Sequence, residues 1–127
     1  MSKQVIGAPF AAGGMKLPFS RAVRAGDFVF VSGQMATDAD GRLADGGIET
    51  QAHQVFRNIE TILKDAGCTM ADVVKCTCWI DDSRDFTRFN AVFAEVFPKD
   101  PPARSTVVSK LLLDGKLEVE AIAYRPA

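Results

Sequence analysis

Three polar side chains in this sequence stand against an apolar pattern, and any chemistry is to be sought there first. Arg104 lies in Pro101-Pro102-Ala103-Arg104-Ser105-Thr106-Val107, a small and β-branched run opened by two prolines. A guanidinium stays charged at ordinary pH and is costly to leave unpaired when buried. Arg104 therefore either pairs with Glu118 or Glu120, on what reads as the neighbouring strand, or awaits an anion from outside. A carboxylate is the natural bidentate ligand for its planar fork. Glu120 is open in the same way, as Arg104's partner or as a group that orders water. Asn90 falls four residues after Phe86 and three before Phe93, along the apolar stripe of a helix. An amide in that place must find hydrogen bonds, with nearby backbone or as part of a site.

The other reactive residue types point to less. His53 is the only histidine. It sits near the polar edge of a helix, reads as a solvated surface residue, and gives no nucleophilic triad without a placed base. Cys76 and Cys78 are two apart on a strand, so they share a face and a bond between them would be strained. They lack a second pair at zinc spacing and suit small core positions. No phosphate-binding G-x-x-x-x-G-K-[ST] loop or G-x-G-x-x-G occurs, so no nucleotide or NAD is supported. The net charge of −1 offers no basic surface for nucleic acid. Phe56, Phe86, Phe89, Phe93 and Phe97 fall at helical spacing and read as core, and Trp79 suits core or interface. No apolar run approaches the roughly 18 residues of a membrane span. Residues 1–10 lack the apolar centre of a signal peptide. A cytoplasmic protein with free thiols, Cys68 included, is the expectation.

These residues need elements to hold them. At 127 residues and 47% hydrophobic composition, the chain suits one domain, 1–127, with a real core. A short strand is expected near 3–6, then an irregular loop punctuated by Gly13, Gly14 and Pro18. Strands follow at 21–24 and at 28–32, the second ending at Gly33. Residues 48–66 form the clearest helix: Ala52, Val55, Phe56, Ile59, Ile62 and Leu63 make one stripe, and Gly67 terminates it. A strand at 73–80 puts Cys76, Cys78 and Ile80 on one face, with Thr77 and Trp79 on the other. Asp82 or Ser83 can cap a second helix running to about 97. Residues 98–102 are a loop, and strands at 104–108 and 117–124 complete the order β-β-β-α-β-α-β-β. That order implies an α+β fold, a mixed sheet with two helices on one face. The last strands carry apolar atoms on both faces, so the uncovered face is expected to meet other copies of the chain.

Several motifs then agree in order and spacing with one family. They are Val23-Arg24-Ala25-Gly26-Asp27-Phe28-Val29-Phe30-Val31-Ser32-Gly33-Gln34, Gln51 with Asn58-Ile59, Ala66-Gly67, Asp72-Val73-Val74-Lys75, Asp85-Phe86 with Asn90, Pro102-Ala103-Arg104-Ser105, and Glu118-Val119-Glu120-Ala121-Ile122-Ala123. Together the sequence resembles the RidA/YjgF family of enamine and imine deaminases, often labelled endoribonuclease L-PSP. The resemblance implies a chorismate-mutase-like fold and a homotrimer with a central β-barrel, its sites lying between subunits. It implies that Arg104 binds the substrate carboxylate, that Gly33 and Thr106 line the site, that Asn90 shapes it, and that Glu120 lies near the attacking water. The reaction it implies is hydrolysis of a 2-imino acid, formed from an enamine such as 2-aminoacrylate, to a 2-keto acid and ammonia. It implies no metal and no organic cofactor.

Two features depart from the family pattern. Leu17-Pro18-Phe19 replaces the common Gly-Pro-Tyr, so a tyrosine hydroxyl expected near the substrate is absent, and the preceding loop is long. Threonine stands at 106, where some members carry cysteine. Phe19 then becomes a candidate substrate-binding residue favouring a larger or more apolar imino acid. Competing readings are a pathway-specific deaminase of the 2-aminomuconate or aminoacrylate type, and a non-catalytic binder or holdase for small carboxylates. Ribonuclease activity is opposed by the net charge and by the lack of a histidine pair or basic groove.

Overall fold

A computed structural model describes residues 2–9, 11–12 and 14–126. In chain order its elements are β1 (Gln4–Ile6), β2 (Ala11–Ala12), β3 (Met15–Lys16), β4 (Ala22–Ala25), β5 (Phe28–Gln34), α1 (Ile48–Asp65), β6 (Val73–Ile80), α2 (Phe86–Val96), β7 (Ala103–Val108) and β8 (Leu117–Tyr124). Six strands form one open mixed sheet in the order β1-β4-β5-β8-β6-β7. All pairings are antiparallel except β6 with β7, which are parallel. A parallel pair needs a long crossover, and α2 supplies it. The turns Met70–Asp72 and Ser83–Asp85 are short 3₁₀ segments.

Alternation decides which face is covered. In β8, Leu117, Val119, Ala121 and Ala123 are buried. They join Val29 and Val31 of β5 and Cys76, Cys78 and Ile80 of β6 in one core with both helices. The apolar stripe of α1 closes that core, and its end is set at Gly67. Gly67 has φ 76°, Cys68 N–H donates to the Leu63 carbonyl at 2.8 Å and Gly67 N–H to the Lys64 carbonyl at 3.0 Å. This is the left-handed termination that glycine permits. Phe56 of α1 meets Phe89, Phe93 and Phe97 with ring centroids 6.4, 5.8 and 5.8 Å apart. Each such pair adds about 0.5–1.5 kcal/mol beyond burial, so α2 is fixed against α1 by rings. Two polar residues of α1 hold loops: Gln51 accepts from Lys116 N–H and donates to the Ala44 carbonyl, while Asn58 donates to the carbonyls of Met35 and Thr37.

Four local expectations change. The stretch expected to be an irregular loop contains the β2–β3 ribbon, with Ala11 opposite Lys16 and Ala12 opposite Met15. Its turn carries Gly14 at φ 77°, while the punctuation expected at Gly13 lies outside the described residues. The strand expected to stop at Gly33 runs on to Gln34. Val31 pairs with Ala121 and Gln34 with Val119, so Ser32 and Gly33 together oppose Glu120 in a bulge. Asp82 caps the 3₁₀ turn, accepting from Arg84 N–H at 2.9 Å, and α2 begins after it. Finally, β8 is not the neighbour of β7. β6 lies between them, so Glu118 and Glu120 belong to a strand that does not touch Arg104's own.

The outer sheet face remains apolar and open. Phe28, Phe30 and Tyr124 are 42%, 45% and 44% exposed, with Phe28 and Tyr124 in edge contact at 5.1 Å.

The buried thiols give a stability prediction. Burial, then the neighbouring Cys78, pushes Cys76 up to about 12, and burial pushes Cys78 to about 11. Above the ordinary value of 9.0 the unfolded chain sheds these protons while the folded chain keeps them, so stability falls as pH rises through this window. Replacing Cys76 and Cys78 by alanine should lower the melting temperature at neutral pH through lost packing, yet flatten its further fall between about pH 8.5 and about pH 10.5. Parallel falls in calorimetry would contradict the assignment.

Candidate functional site

The side chains of β6 and β7 pair across the sheet as Cys76 with Arg104, Thr77 with Ser105 and Cys78 with Thr106. Arg104 and Thr106 therefore share the helix side with the buried thiols. α2 passes over this edge. Because Asn90 lies within its apolar stripe, its amide reaches the same place as the phenyl rings. Arg104 Nη2 donates to Asn90 Oδ1 at 2.8 Å, and Arg104 Cζ lies over the rings of Phe86, Phe89 and Phe93. Among the described residues no carboxylate is within ion-pair distance of Arg104. Its charge is held by neutral groups.

Thr106 continues the same wall. Its Oγ1 is buried, with the Cys78 thiol beside it as a weak hydrogen-bond partner. Beside it opens a depression of about 180 Å³ lined by Ile80, Ser83, Phe86, Thr106, Val107 and Val108. A cation without a carboxylate partner among the described residues, a buried hydroxyl and an apolar recess thus adjoin along the edge of one strand. That set can take a small carboxylate with an organic tail.

Gly33 and Glu120 belong to the other face. Glu120 is exposed and pairs across β6 with Thr77. Gly33, in the bulge, lies against the carboxylate of Glu118, where a Cβ would collide with Glu118 Oε2. The glycine is what leaves room for that carboxylate. Glu118 is partly buried, and burial followed by the neighbouring Glu120 raises its carboxyl above the ordinary value. Phe19 is 49% exposed in the loop before β4. That loop is laced to the bulge, with Ser32 Oγ donating to the Ser20 carbonyl at 2.6 Å and Ser32 N–H to the Arg21 carbonyl at 2.9 Å.

The expected site residues therefore form two groups. Arg104, Asn90 and Thr106 meet at the β7 edge, and Gly33 lies with the Phe19 loop at the β5 bulge. Between β5 and β7 stand β8 and β6, roughly 14 Å of sheet at the usual strand spacing. One chain does not bring the two groups together. The ion pair of Arg104 with Glu118 or Glu120 is also excluded, by the intervening β6. Sequence reasoning weighed Glu118 only as a partner for Arg104. Its position shares the alternation of Glu120, and only its fit against the bulge glycine distinguishes it. The phenyl rings around Arg104 were legible solely as core. His53, expected to be solvated, is on the surface and approaches Glu95 of α2 at 3.6 Å. Among the described residues no helix is long and apolar enough to cross a membrane.

Known proteins resemble this chain in sequence and in fold. The family model described as endoribonuclease L-PSP matches residues 11–125. The sequence is 44% identical over 110 residues to a RutC family protein of Pyrococcus horikoshii, covering 85% of this chain and 87% of that one. It is 41% identical over 120 residues to the 2-iminobutanoate/2-iminopropanoate deaminase of Bos taurus, covering 93% and 85%. The crystal structure of the YjgF gene product from E. coli superposes with a TM-score of 0.86 at 33% identity, covering 96% of this chain and 98% of that one. The chain is an α+β protein and belongs to the RidA/YjgF family.

Glu118 provides a test of this geometry. Above the ordinary glutamate value of 4.5 the folded chain holds a proton that the unfolded chain has lost. The stability tied to that proton is present below this pH and is lost as pH rises through the raised value. Glu118→Gln should therefore melt above the wild type near pH 7 and match it below about pH 4. A lower melting temperature for the variant near pH 7 would contradict the raised value.

Proposed function

We propose that this protein hydrolyses 2-imino acids, and the enamines that tautomerise to them, to 2-keto acids and ammonia. The observation that carries the reading is the charge of Arg104, which is held by an amide and three rings and, among the described residues, neutralised by no carboxylate. A substrate carboxylate supplies the missing anion through a bidentate contact. The relatives named as deaminases act on imino acids of that kind by their names.

The chemistry asks little more of the protein. The carbon of a protonated imine is electrophilic. Water adds to it, the carbinolamine forms, and the nitrogen leaves as ammonia after the proton lost by water has been moved to it. Holding the carboxylate and aiming the water is orientation catalysis. A carboxylate whose pKa is raised toward the working pH suits the proton transfer. On that ground Glu118, rather than the exposed Glu120, is our candidate for placing the water. Thr106 and the Gly33 backbone line the cleft, and Phe19 widens the apolar part of the substrate range.

The site is shared between subunits of a homotrimer whose sheets enclose a central barrel. Two features support this part of the proposal: the separation of the two residue groups within one chain, and the exposed aromatic outer face, which is the kind of surface that oligomers bury. Arg104→Ala and Glu118→Gln should each lower kcat/KM for 2-iminobutanoate at least about a hundredfold with the fold intact. Refolded together in equal amounts, the two variants should recover about a quarter of wild-type activity, because one in four interfaces then pairs an intact arginine with an intact glutamate. Full activity in Arg104→Ala would overturn the function. Inactive variants with no recovery on mixing would overturn the shared site. Tight 2-keto acid binding without ammonia release in the wild type would make the protein a binder instead.

A further inference from the structure

The rings around Arg104 are arranged more specifically than core filling demands. Phe86, Phe89 and Phe93 recur on α2 at intervals of three and four residues, and all of them address one cation. The guanidinium carbon lies 4.7 Å from the Phe93 ring centroid, 5.4 Å from that of Phe89 and 5.5 Å from that of Phe86. These distances are within the range at which a ring quadrupole attracts a cation. Phe93 is itself held in place, only 6% exposed and packed on Phe56 at 5.8 Å and Phe97 at 4.8 Å. Asn90, between Phe86 and Phe93 on the same stripe, fixes Nη2.

We propose that the π faces of these rings, that of Phe93 above all, position the Arg104 guanidinium and so set the affinity of the site for carboxylate ligands. This rests on the reading of Arg104 as the carboxylate-binding residue. A quadrupole carries no net charge, so the rings attract the guanidinium without cancelling it. A glutamate in their place would fix the side chain equally well but would compete with the ligand. The rings also remove water from the flanks of the cation, and they restrict a side chain that otherwise loses much rotamer freedom on binding. The hydrogen bond to Asn90 sets the rotation of the guanidinium, and the rings set its plane. Phe86, Phe89 and Phe93 are thus positioning residues, acting on the ligand through Arg104.

The test separates a π face from mere bulk. Mono-, di- and trifluorophenylalanine placed at position 93 weaken the quadrupole stepwise and change the volume little. Calorimetry with 2-oxobutanoate on the full chain should show Kd rising at each step, by about tenfold over the series, with the melting temperature nearly constant. A flat or falling Kd would overturn the inference. If position 93 does not tolerate the series, position 86, which is 41% exposed, should give the same trend with smaller amplitude. The Arg104→Ala variant is titrated alongside. Loss of binding there with a flat fluorination series rejects the positioning role alone, whereas wild-type affinity in Arg104→Ala rejects the carboxylate site itself.

Discussion

A single cation without a counter-charge is the constraint on which this site depends. Arg104 is partly buried, and a buried guanidinium must be satisfied or it destabilises the fold. Here the satisfaction comes from Asn90 Oδ1 and from three phenyl rings. Both kinds of partner stabilise the cation and leave its charge intact. The arrangement requires α2 to lie over the β7 edge, and the parallel β6–α2–β7 crossover puts it there. It requires α2 to be held firmly, which the packing of Phe56 against Phe89, Phe93 and Phe97 provides.

The second group of candidate residues is organised by an absence of side chain. At the bulge in β5, Gly33 leaves the space that the Glu118 carboxylate occupies. The same bulge ties down the loop that carries Phe19 through the Ser32 hydrogen bonds. Cation and carboxylate sit on opposite faces of the sheet, with β6 between their strands. A fold that holds two such groups apart, and leaves aromatic side chains exposed on the outer face, fits the proposal that a second copy completes each site.

Much of the fold was legible before any coordinates. The stripe of α1, the alternation of β8 and the terminating Gly67 are local patterns, and each sits where local physics puts it. Strand order is not local. Arg104 and the two glutamates follow one another closely in sequence, and that closeness suggests adjacent strands, but the crossover inserts β6 between them. The bulge escaped for a related reason, since the extra residue shows only against its partner strand. Glu118 and Glu120 have the same residue type and the same alternation, and the distance to Gly33 is what separates them. Phe89 and Phe93 were correctly placed in the core, whereas Phe86, expected there too, is exposed at the end of the stripe, and nothing in their spacing says that a cation lies against them. Arg104, Asn90 and Glu120 stood out against their own surroundings, the family resemblance added Thr106, Gly33 and Phe19 as site candidates, and the structure separates the β7 edge from the β5 bulge.

The central claim is that a neutral partner leaves the charge of Arg104 available. Asn90→Asp changes one atom group and puts a carboxylate where the amide oxygen now accepts from Nη2. Titration of 2-oxobutanoate into the folded variant near pH 7 measures the consequence directly. The account predicts a loss of affinity of at least about a hundredfold against the wild type, with a melting temperature no lower. Wild-type affinity in Asn90→Asp would contradict it, because an internally paired Arg104 would then serve the ligand as well as an unpaired one.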